Sequence, residues 1–269
     1  MIHLSSIHIY PCKGLAGISV TQIEIDGFGP KHDRRWMLVD EKNEFLTQRQ
    51  QPKMVLIHPE IQESSLVLQA PGQTPFEMPM VPESGTESEV SIFGERCTAW
   101  ETSKEAGNWF STFLERPCRP VFMPDSTQRV VDQEFSKFPS RTSFTDGFPF
   151  LLIGEASLED LNQRLQSPIE MRRFRPNLVI SGSGAFEEDL MEWLTIGDIM
   201  FQVAKPCGRC RVTTVDPEAG EFSGKDPLKT LSHFRRINGE VLFGQNLIHQ
   251  KMGVLRVGDE LTIVDPDFS

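Results

Sequence analysis

The chain of 269 residues has few cysteines and no long apolar run. Three of its five cysteines, Cys12, Cys97 and Cys118, stand alone, and an odd, scattered set does not suit a secreted disulfide framework. No stretch approaches the roughly 20 apolar residues of a membrane-spanning helix. The N-terminal segment also lacks the charged and apolar regions of an export or targeting signal. These absences predict a protein of the reducing cytoplasm with no membrane partner.

Positive charge is scarce as well. The chain has 27 Lys and Arg against 38 Asp and Glu, a formal net charge of −11, which excludes a chain-wide electrostatic attraction to a nucleic-acid polymer or to anionic lipid. Cations are nevertheless concentrated at three places: Lys13, then Arg34 and Arg35, then Arg172, Arg173 and Arg175. Such clusters indicate either a local site for a phosphate or another oxyanion, or solvated surface charge.

Several catalytic and nucleotide-binding motifs are absent. The chain contains neither G-x-x-x-x-G-K-[ST] nor G-x-G-x-x-G, and the glycines of SGSGAFEE follow a different pattern. It also lacks G-x-S-x-G and H-E-x-x-H, and its six histidines are dispersed. These absences disfavour a glycine-rich phosphate loop, a serine hydrolase and a metalloprotease.

The first half of the chain reads as β-rich. Short β-like runs continue to about Glu101, in the order HLSSIHIY, ISVTQIEI, RWMLVD, EFLTQR, KMVLIHP, SLVLQA, EVSIF and RCTAWE. Thr102 and Ser103 then offer an N-cap, and apolar residues at helical spacing predict one helix that ends before Pro117. Residues 117–143 show no period, which places a domain boundary or a long excursion there.

The second half mixes strands with two helices. FPFLLI predicts a strand, and the following helix is expected to start near Ser157 with Asp160 completing a capping box. Gly-Asp pairs at residues 197–198 and 258–259 lie between alternating runs, so each predicts a hairpin turn. RVTTV and FGQNLIHQ read as strands, and residues 227–236 as a helix. The pattern favours a β-barrel-like α+β architecture over a doubly wound sheet.

The sharpest motif is KPCGRC at residues 205–210. A thiol redox pair usually opens a helix, and the β-branched residues that follow disfavour one. Structural zinc needs four ligands, and the chain has no second C-x-x-C pair. Two interpretations stay open. The cations Lys205, Arg209 and Arg211 would favour a thiolate that binds a soft metal, or the two cysteines are structural.

Eight motifs together resemble one known family. In chain order they are YPCKG, DRRWMLV, FLTQRQ, FPFLLIGEASLEDLN, FRPNLVISG, KPCGRCRVTTVDPEAG, DPLKTL and FGQN. This series resembles the MOSC-domain proteins with an N-terminal MOSC β-barrel module, a group that includes the mitochondrial amidoxime-reducing component and its bacterial counterparts. The resemblance implies a β-rich α+β fold, with residues 1–120 as the N-terminal β-barrel-like domain and residues 121–269 as the MOSC β-barrel domain with a few helices.

The resemblance also implies a cofactor and a reaction. The cofactor is molybdenum carried by molybdopterin, held by the pterin dithiolene and one protein cysteine, and pyridoxal phosphate is not expected. The reaction is the reduction of N-hydroxylated compounds such as amidoximes, hydroxylamines and N-hydroxylated bases. Two other functions stay open. The chain could be a carrier or transferase of sulfur or of the cofactor, acting through a persulfide on Cys210, or it could store the cofactor without turnover.

Matched by motif, the resemblance places the metal-binding and catalytic cysteine at Cys210, and Cys207 is then not a ligand. It places the cofactor contacts at Lys13, Gly14, Arg34, Asp146, Gly147, Phe148, Arg175, Asn177, Gly208, Arg209 and Asn246. The chain departs from the mitochondrial proteins at two of these positions. Gly14 stands where they have a serine, which removes a hydroxyl donor to the phosphate, and Asn246 stands where they have a tyrosine.

The resemblance implies two partners, a small N-hydroxylated substrate and a separate electron-donor protein, either a flavoprotein reductase or a ferredoxin-like protein. Relatives with their own electron supply carry a 2Fe–2S module after the barrel. The five cysteines of this sequence are too few for a Cys₄ cluster beside the C-x-x-C site. We therefore expect electrons to come from a second protein.

Overall fold

A computed structural model describes residues 1–265. Within that range the α-helices are α1 (Lys104–Leu114), α2 (Glu155–Arg164) and α3 (Leu228–Phe234), and short 3₁₀ helices cover Pro52–Leu56, Met171–Arg173, Glu187–Leu190 and Arg211–Thr214. The strands of the same range are β1 (His3–Ile9), β2 (Ile18–Val20), β3 (Gln22–Asp26), β4 (Gly29–Pro30), β5 (Trp36–Val39), β6 (His58–Gln62), β7 (Ser65–Gln69), β8 (Phe76–Pro79), β9 (Thr86–Ile92), β10 (Glu95–Glu101), β11 (Arg119–Phe122), β12 (Phe150–Gly154), β13 (Leu178–Ser181), β14 (Trp193–Ile196), β15 (Ile199–Gly208), β16 (Val215–Asp216), β17 (Glu221–Phe222), β18 (Arg236–Ile237), β19 (Glu240–His249), β20 (Gly253–Arg256) and β21 (Leu261–Ile263). No helix in the described range is long and apolar enough to cross a membrane. The fold is β-rich, as predicted.

The largest sheet has nine strands in the order β2-β1-β13-β12-β19-β15-β14-β21, with β18 paired to β19. Its first two strands come from the start of the chain, and Ile7 of β1 lies opposite Leu178 of β13 in antiparallel register. A single bridge between His3 and Glu260 brings the start of β1 next to β21. The sheet therefore contains strands from both sides of the boundary expected after residue 120, and that boundary stays a prediction.

Four smaller sheets complete the fold. Their orders are β5-β11-β10-β9, β6-β7-β8, β20-β3-β4 and β16-β17. Strand β11 lies inside the segment 117–143 that shows no periodicity, and it pairs with β5 through Val121 opposite Met37. The rest of that segment runs without regular structure towards β12. The predicted long excursion is thus interrupted by one short strand.

Buried apolar side chains from the three described α-helices and from several sheets form four core clusters. The α1 helix begins where predicted, because the Ser103 side chain accepts a hydrogen bond from the Ala106 N–H at 3.1 Å. Its Phe110 and Leu114 are buried in one cluster with Trp36 and other residues of the first half. Each fully buried side chain of this size contributes about 1.5–3 kcal/mol. These contacts fix the scaffold from which the loops around residues 13 and 34 project.

One of the two predicted hairpins is confirmed and the other is wrong. Ile196 of β14 lies opposite Ile199 of β15, so residues 197–198 form the two-residue turn. At residues 258–259 the chain also turns, but β20 pairs with β3 and β21 pairs with β14. The Gly258 N–H instead donates to the carbonyl of Leu4 at 2.7 Å. Tertiary pairing with separate sheets overrides the local hairpin signal.

The prediction that RVTTV is a strand is wrong, since Arg211–Thr214 form a 3₁₀ helix directly after Cys210. The Thr213 hydroxyl donates to the Cys210 carbonyl at 3.0 Å, and the Thr214 hydroxyl donates to the Arg211 carbonyl at 2.8 Å. Threonine side chains bonded to nearby carbonyls offer the backbone an alternative to sheet pairing. Only Val215–Asp216 form a short strand.

Helix α2 starts earlier than predicted, at Glu155, with Gly154 as its N-cap. The Ser157 hydroxyl does not cap the helix but donates to the buried carboxylate of Glu188 at 2.8 Å. The other oxygen of Glu188 accepts the Gly154 N–H at 3.1 Å. A carboxylate distant in sequence thus supplies the acceptor that the predicted capping box would have given.

Two runs of the first half are not strands either. EFLTQR forms a loop with isolated bridges at Glu44 and Phe45, and most of KMVLIHP is the 3₁₀ helix Pro52–Leu56 before β6 begins at His58. The loop is anchored to a distant segment of the chain, because the Gln48 side-chain amide donates to the Gly14 carbonyl at 2.6 Å. That hydrogen bond places the loop beside the segment that carries Lys13.

Candidate functional site

The twelve site residues named from the sequence all line one cavity of about 320 Å³. They are Lys13, Gly14, Arg34, Asp146, Gly147, Phe148, Arg175, Asn177, Gly208, Arg209, Cys210 and Asn246. Residues from both halves of the chain contribute, and the volume lies in the range of roughly 300–1,000 Å³ that is typical of small-molecule sites. Site residues that lie up to 233 positions apart in the sequence therefore surround a single cavity.

Two arginines are stacked on the same tyrosine ring. The guanidinium carbons of Arg34 and Arg175 lie 4.5 Å and 4.2 Å from the ring centroid of Tyr10, the single tyrosine of the chain. The Tyr10 hydroxyl donates to the Pro176 carbonyl at 3.0 Å, and burial raises the pKa of this phenol to about 12 although the two arginines oppose the shift. The ring therefore stays neutral and holds two like charges beside the cavity by cation–π contact.

Both arginines occupy left-handed backbone conformations, with φ of 50° at Arg34 and 57° at Arg175. Arg34 forms an ion pair with the buried carboxylate of Asp33 and donates to the Asn177 side-chain oxygen at 3.2 Å. Arg175 donates through Nη1 to the Leu15 carbonyl at 2.6 Å. Non-glycine residues adopt this conformation at a cost of about 1–3 kcal/mol, so the surrounding contacts hold both side chains in place.

Arg175 and Arg209 each keep one buried nitrogen without an acceptor among the described residues, Nη2 of Arg175 and Nε of Arg209. Burial lowers the pKa of Arg175 to about 10, which still leaves it charged at neutral pH. Arg209 contacts the Phe174 carbonyl through Nη2 and the Cys207 sulfur, 2.9 Å away, through Nη1. A buried donor without an acceptor is costly, and both arginines line the cavity, where an anion would add acceptors for their guanidiniums.

Lys13 adds a third buried cation. Its side chain is 9% exposed, pairs with Asp146 and donates to the Phe144 carbonyl at 2.8 Å. The ammonium also lies 5.2 Å from the ring centroid of Phe93 and 5.7 Å from that of Phe45. Burial lowers the pKa of Lys13 to about 8, although the carboxylate of Asp146 opposes the shift. With a pKa of about 8, Lys13 loses its charge at a lower pH than Arg175, whose pKa is about 10.

We expect anion binding by the cofactor-free protein to weaken above about pH 8. A bound anion favours the charged form of Lys13 and therefore raises its pKa. Above the pKa of Lys13 in the anion-free protein, about 8, binding requires the uptake of a proton, and the affinity for the anion falls. Arg175, with a pKa of about 10, remains charged in that interval. Calorimetric titration with sulfate, which does not itself titrate there, measures the effect. Lys13→Met should bind sulfate more weakly and lose the pH dependence, and an unchanged slope in this variant would contradict the assignment to Lys13.

The two cysteines of the C-x-x-C pair differ in their surroundings. The Cys207 sulfur accepts the hydrogen bond from Arg209 and contacts the apolar cluster of α2 and α3. Cys210 is the N-cap residue of the 3₁₀ helix Arg211–Thr214, and its sulfur makes no hydrogen bond among residues 1–265. Both thiols are free and line the cavity. Cys210 therefore offers the less engaged sulfur as a ligand.

Asparagine side chains hold neighbouring segments at the cavity wall. Asn177 is buried, and its amide bonds to Arg34, to the Leu151 N–H at 3.3 Å and to the His8 carbonyl at 3.2 Å. Asn177 thus positions Arg34. Asn246 donates to the carbonyl of Lys205 at 3.3 Å and so fixes the strand that precedes Cys210.

The glycines leave room at the cavity. At Gly14 φ is 85°, and a Cβ would lie 2.6 Å from the methyl carbon of Met54, so the serine expected from the mitochondrial proteins would be strained here. Gly147 has φ of 146° with no atom within 4 Å of an added Cβ, and at Gly208 an added Cβ would lie 3.3 Å from the Glu240 carboxylate. Phe148, beside Gly147, presents its ring to Lys205 at 5.8 Å.

Some cations of the sequence clusters do not belong to this arrangement. Arg35 is buried elsewhere and bonds to the Met123 carbonyl and to Asp125. Arg172 is exposed and paired with Glu170 and Glu218. Arg173 lines the cavity but is anchored to Asp216 at 2.9 Å. The sequence did not assign several lining residues, Phe45, Thr47, Gln48, Arg49, Phe93, Lys205 and Glu240, although FLTQRQ and KPCGRC contain five of them.

Comparison with known proteins places the chain among relatives. The MOSC N-terminal beta barrel domain matches residues 1–117 and the MOSC domain matches residues 139–262. The chain is 35% identical to the mitochondrial amidoxime reducing component 2 of Rattus norvegicus, over 95% of this chain and 81% of that protein. It is 31% identical to the mitochondrial amidoxime-reducing component 1 of Homo sapiens, over 97% of this chain and 82% of that protein. With this fold, this cavity and these matches, the chain belongs to the family of MOSC-domain proteins that includes the mitochondrial amidoxime-reducing components.

Proposed function

We propose that this protein is a molybdenum-cofactor-dependent oxidoreductase that reduces N-hydroxylated compounds. One observation carries the proposal. The unengaged Cys210 sulfur shares a cavity with Arg175 and Arg209, whose buried nitrogens lack acceptors. A single thiolate beside a cluster of cations suits a ligand that joins a soft metal to a phosphate. The relatives named for amidoxime reduction support the reaction class.

The donor set fits such a cofactor. Residues 1–265 contain no group of three or more His, Cys, Asp or Glu side chains that could hold a metal ion. A metal bound at Cys210 must therefore bring its other ligands with it, as molybdenum bound to a pterin dithiolene does. The cofactor's phosphate would be held by Lys13, Arg34, Arg175 and Arg209. Arginine forks suit a phosphate because they donate two parallel hydrogen bonds.

The overall reaction breaks the N–O bond of the substrate. The nitrogen gains two electrons and the oxygen leaves as water after two protons are taken up, and a separate electron-donor protein supplies the electrons. When bound, molybdenum supplies the two-electron exchange. The chain would supply the Cys210 thiolate, the cations that neutralise the phosphate, and the apolar rings of Phe45, Phe93 and Phe148 in the cavity lining.

We expect purified holoprotein to reduce benzamidoxime to benzamidine with reduced methyl viologen and not with NADPH alone, because the five cysteines of the sequence are too few for a Cys₄ iron–sulfur cluster beside the C-x-x-C site. Elemental analysis should find molybdenum near one atom per chain, with pterin released on denaturation. Addition of a flavoprotein reductase with a ferredoxin-like carrier should restore coupling to NADPH. Protein-bound sulfane sulfur without molybdenum would overturn the proposal in favour of a sulfur carrier. Bound molybdenum without turnover by viologen would favour cofactor storage.

A further inference from the structure

The cavity contains more positive charge than a cofactor phosphate needs. Its lining has two carboxylates, Asp146 and Glu240, against seven cations, Lys13, Arg34, Arg49, Arg173, Arg175, Lys205 and Arg209. Three of the cations are paired with acids, namely Lys13 with Asp146, Arg34 with Asp33 and Arg173 with Asp216. Four cations therefore form no ion pair among the described residues, in a chain whose net charge is −11. Glu240 and the two negative charges of a phosphate monoester offset three of these four cations, which leaves one cation over.

The four cations fall into two groups by position. Arg175 and Arg209 have the buried nitrogens without acceptors, and Arg49 lies 5.3 Å from the ring centroid of Phe93, the ring that Lys13 also contacts. We group these three with Lys13 and Arg34 as the cations that would hold the cofactor phosphate. Lys205 is separate from them. Its ammonium lies 4.5 Å from the ring centroid of Phe135 and 5.8 Å from that of Phe148.

Lys205 is placed to meet a molecule that enters and leaves. Its side chain is half-buried, and its ammonium makes no hydrogen bond to the described residues. The ammonium is nevertheless not one of the buried polar atoms that lack a hydrogen-bond partner. It therefore remains open to solvent, unlike the buried nitrogen of Arg175. It lies on the same strand, β15, that leads into Cys210, and Asn246 fixes its backbone. A substrate group near this ammonium can lie in the same cavity as the reacting atoms at Cys210.

We propose that Lys205 binds an anionic oxygen group of the substrate, so that the substrates are N-hydroxylated compounds that also carry a carboxylate or a phosphate. The inference rests on the proposed function and extends it to substrate class. The aromatic rings of Phe135 and Phe148 hold the ammonium in place by cation–π contact, and Phe148 adds an apolar wall for the body of the substrate. Lys205 is a specificity-determining residue in this assignment, and Cys210 remains the cofactor ligand.

The test compares two substrates of the same shape, benzamidoxime and 4-carboxybenzamidoxime, with viologen-reduced holoenzyme. Wild-type protein should have a lower KM for the carboxylate. Lys205→Gln should raise that KM about tenfold relative to the KM of benzamidoxime, the loss expected for one charge-assisted hydrogen bond. Lys205→Arg should keep most of the preference. The control is Lys225→Gln, since Lys225 is exposed and outside the cavity, and it should behave as wild type.

Two further measurements separate the possible failures. Pterin content of Lys205→Gln should equal that of wild type, and a fall would assign Lys205 to the cofactor and overturn the proposal. Calorimetric binding of 4-carboxybenzamidine and benzamidine to oxidised holoenzyme should show the same preference without turnover. Equal effects of Lys205→Gln on both compounds would also overturn it. If wild type reduces neither substrate, the proposed function fails, while the binding comparison still decides whether Lys205 selects a carboxylate.

Discussion

Replacing Cys210 with serine should lower bound molybdenum to less than about a tenth of the wild-type content, whereas Cys207→Ser should retain most of it. A serine hydroxyl is a hard oxygen ligand and a poor substitute for a soft thiolate. The structure gives the reason for the asymmetry. The Cys207 sulfur is occupied by Arg209 at 2.9 Å and by apolar contacts, while the Cys210 sulfur lines the cavity without a hydrogen bond to the described residues. Reductase activity should follow the metal content.

Cys207→Ser is the matched control, because it makes the same chemical change three residues away in the same segment. Its hydroxyl can still accept the hydrogen bond from Arg209, so a modest loss of cofactor is the largest effect expected. Molybdenum by mass spectrometry and released pterin by fluorescence measure the two variants, with thermal melts of the cofactor-free proteins to show that both fold. Equal loss of metal in two folded variants would contradict a single cysteine ligand.

Part of the cavity lining could be predicted from motifs, but the reason why its residues meet could not. Lys13 and Asp146 are 133 positions apart in the chain. They form an ion pair because β1, which precedes Lys13, pairs in the large sheet with β13 from the second half of the chain. No local pattern encodes that register. The charge clusters indicated an anion site, and the structure assigns Arg175 to the cavity and Arg172 to solvent, although the two are separated by only three positions. Arg172 belongs to the 3₁₀ helix Met171–Arg173, whereas Arg175 follows that helix.

Local signals failed where distant groups satisfy the backbone. Ser157 looks like a helix cap in the sequence, yet the carboxylate of Glu188, 31 positions away, accepts both its hydroxyl and the helix N-terminal N–H. RVTTV has high strand propensity, and there the competing groups are local, since its threonine hydroxyls donate to the carbonyls of Cys210 and Arg211. The error matters for the site, because the turn at Arg211–Thr214 ends β15 close to Cys210 and leaves its sulfur facing the cavity.

Tyr10 shows a different limit. The sequence marks it only as part of YPCKG, and a lone tyrosine has no charge pattern to detect. In the structure Arg34 and Arg175 both lie against its ring. Like charges this close repel each other in a site of low dielectric, and the cation–π contacts with the ring offset part of that repulsion. The cluster of cations at the cavity therefore depends on an aromatic residue that composition and charge analysis overlook.

Arg175→Ala and Arg34→Ala should each reduce cofactor retention about ten- to a hundredfold. A charge-assisted hydrogen bond to a phosphate is worth roughly 1.5–3 kcal/mol, and each variant removes at least one of them. Arg175→Ala is the cleaner test, since Arg34→Ala also leaves the buried Asp33 without its ion pair. Arg34→Lys should rescue partly, because lysine keeps the charge and loses the fork.

Arg172→Ala is the matched control for these variants, because Arg172 belongs to the same basic cluster but is exposed and paired with Glu170 and Glu218. It should retain wild-type pterin occupancy. Occupancy is measured by pterin fluorescence after dialysis at matched protein concentration, and melts of the cofactor-free proteins separate folding from binding. The loss in Arg175→Ala should grow with dilution, as expected for weaker affinity. Undiminished occupancy in a folded Arg34→Ala, Arg175→Ala double variant would show that the stacked arginines do not bind the phosphate, and the site would have to be assigned to another anion.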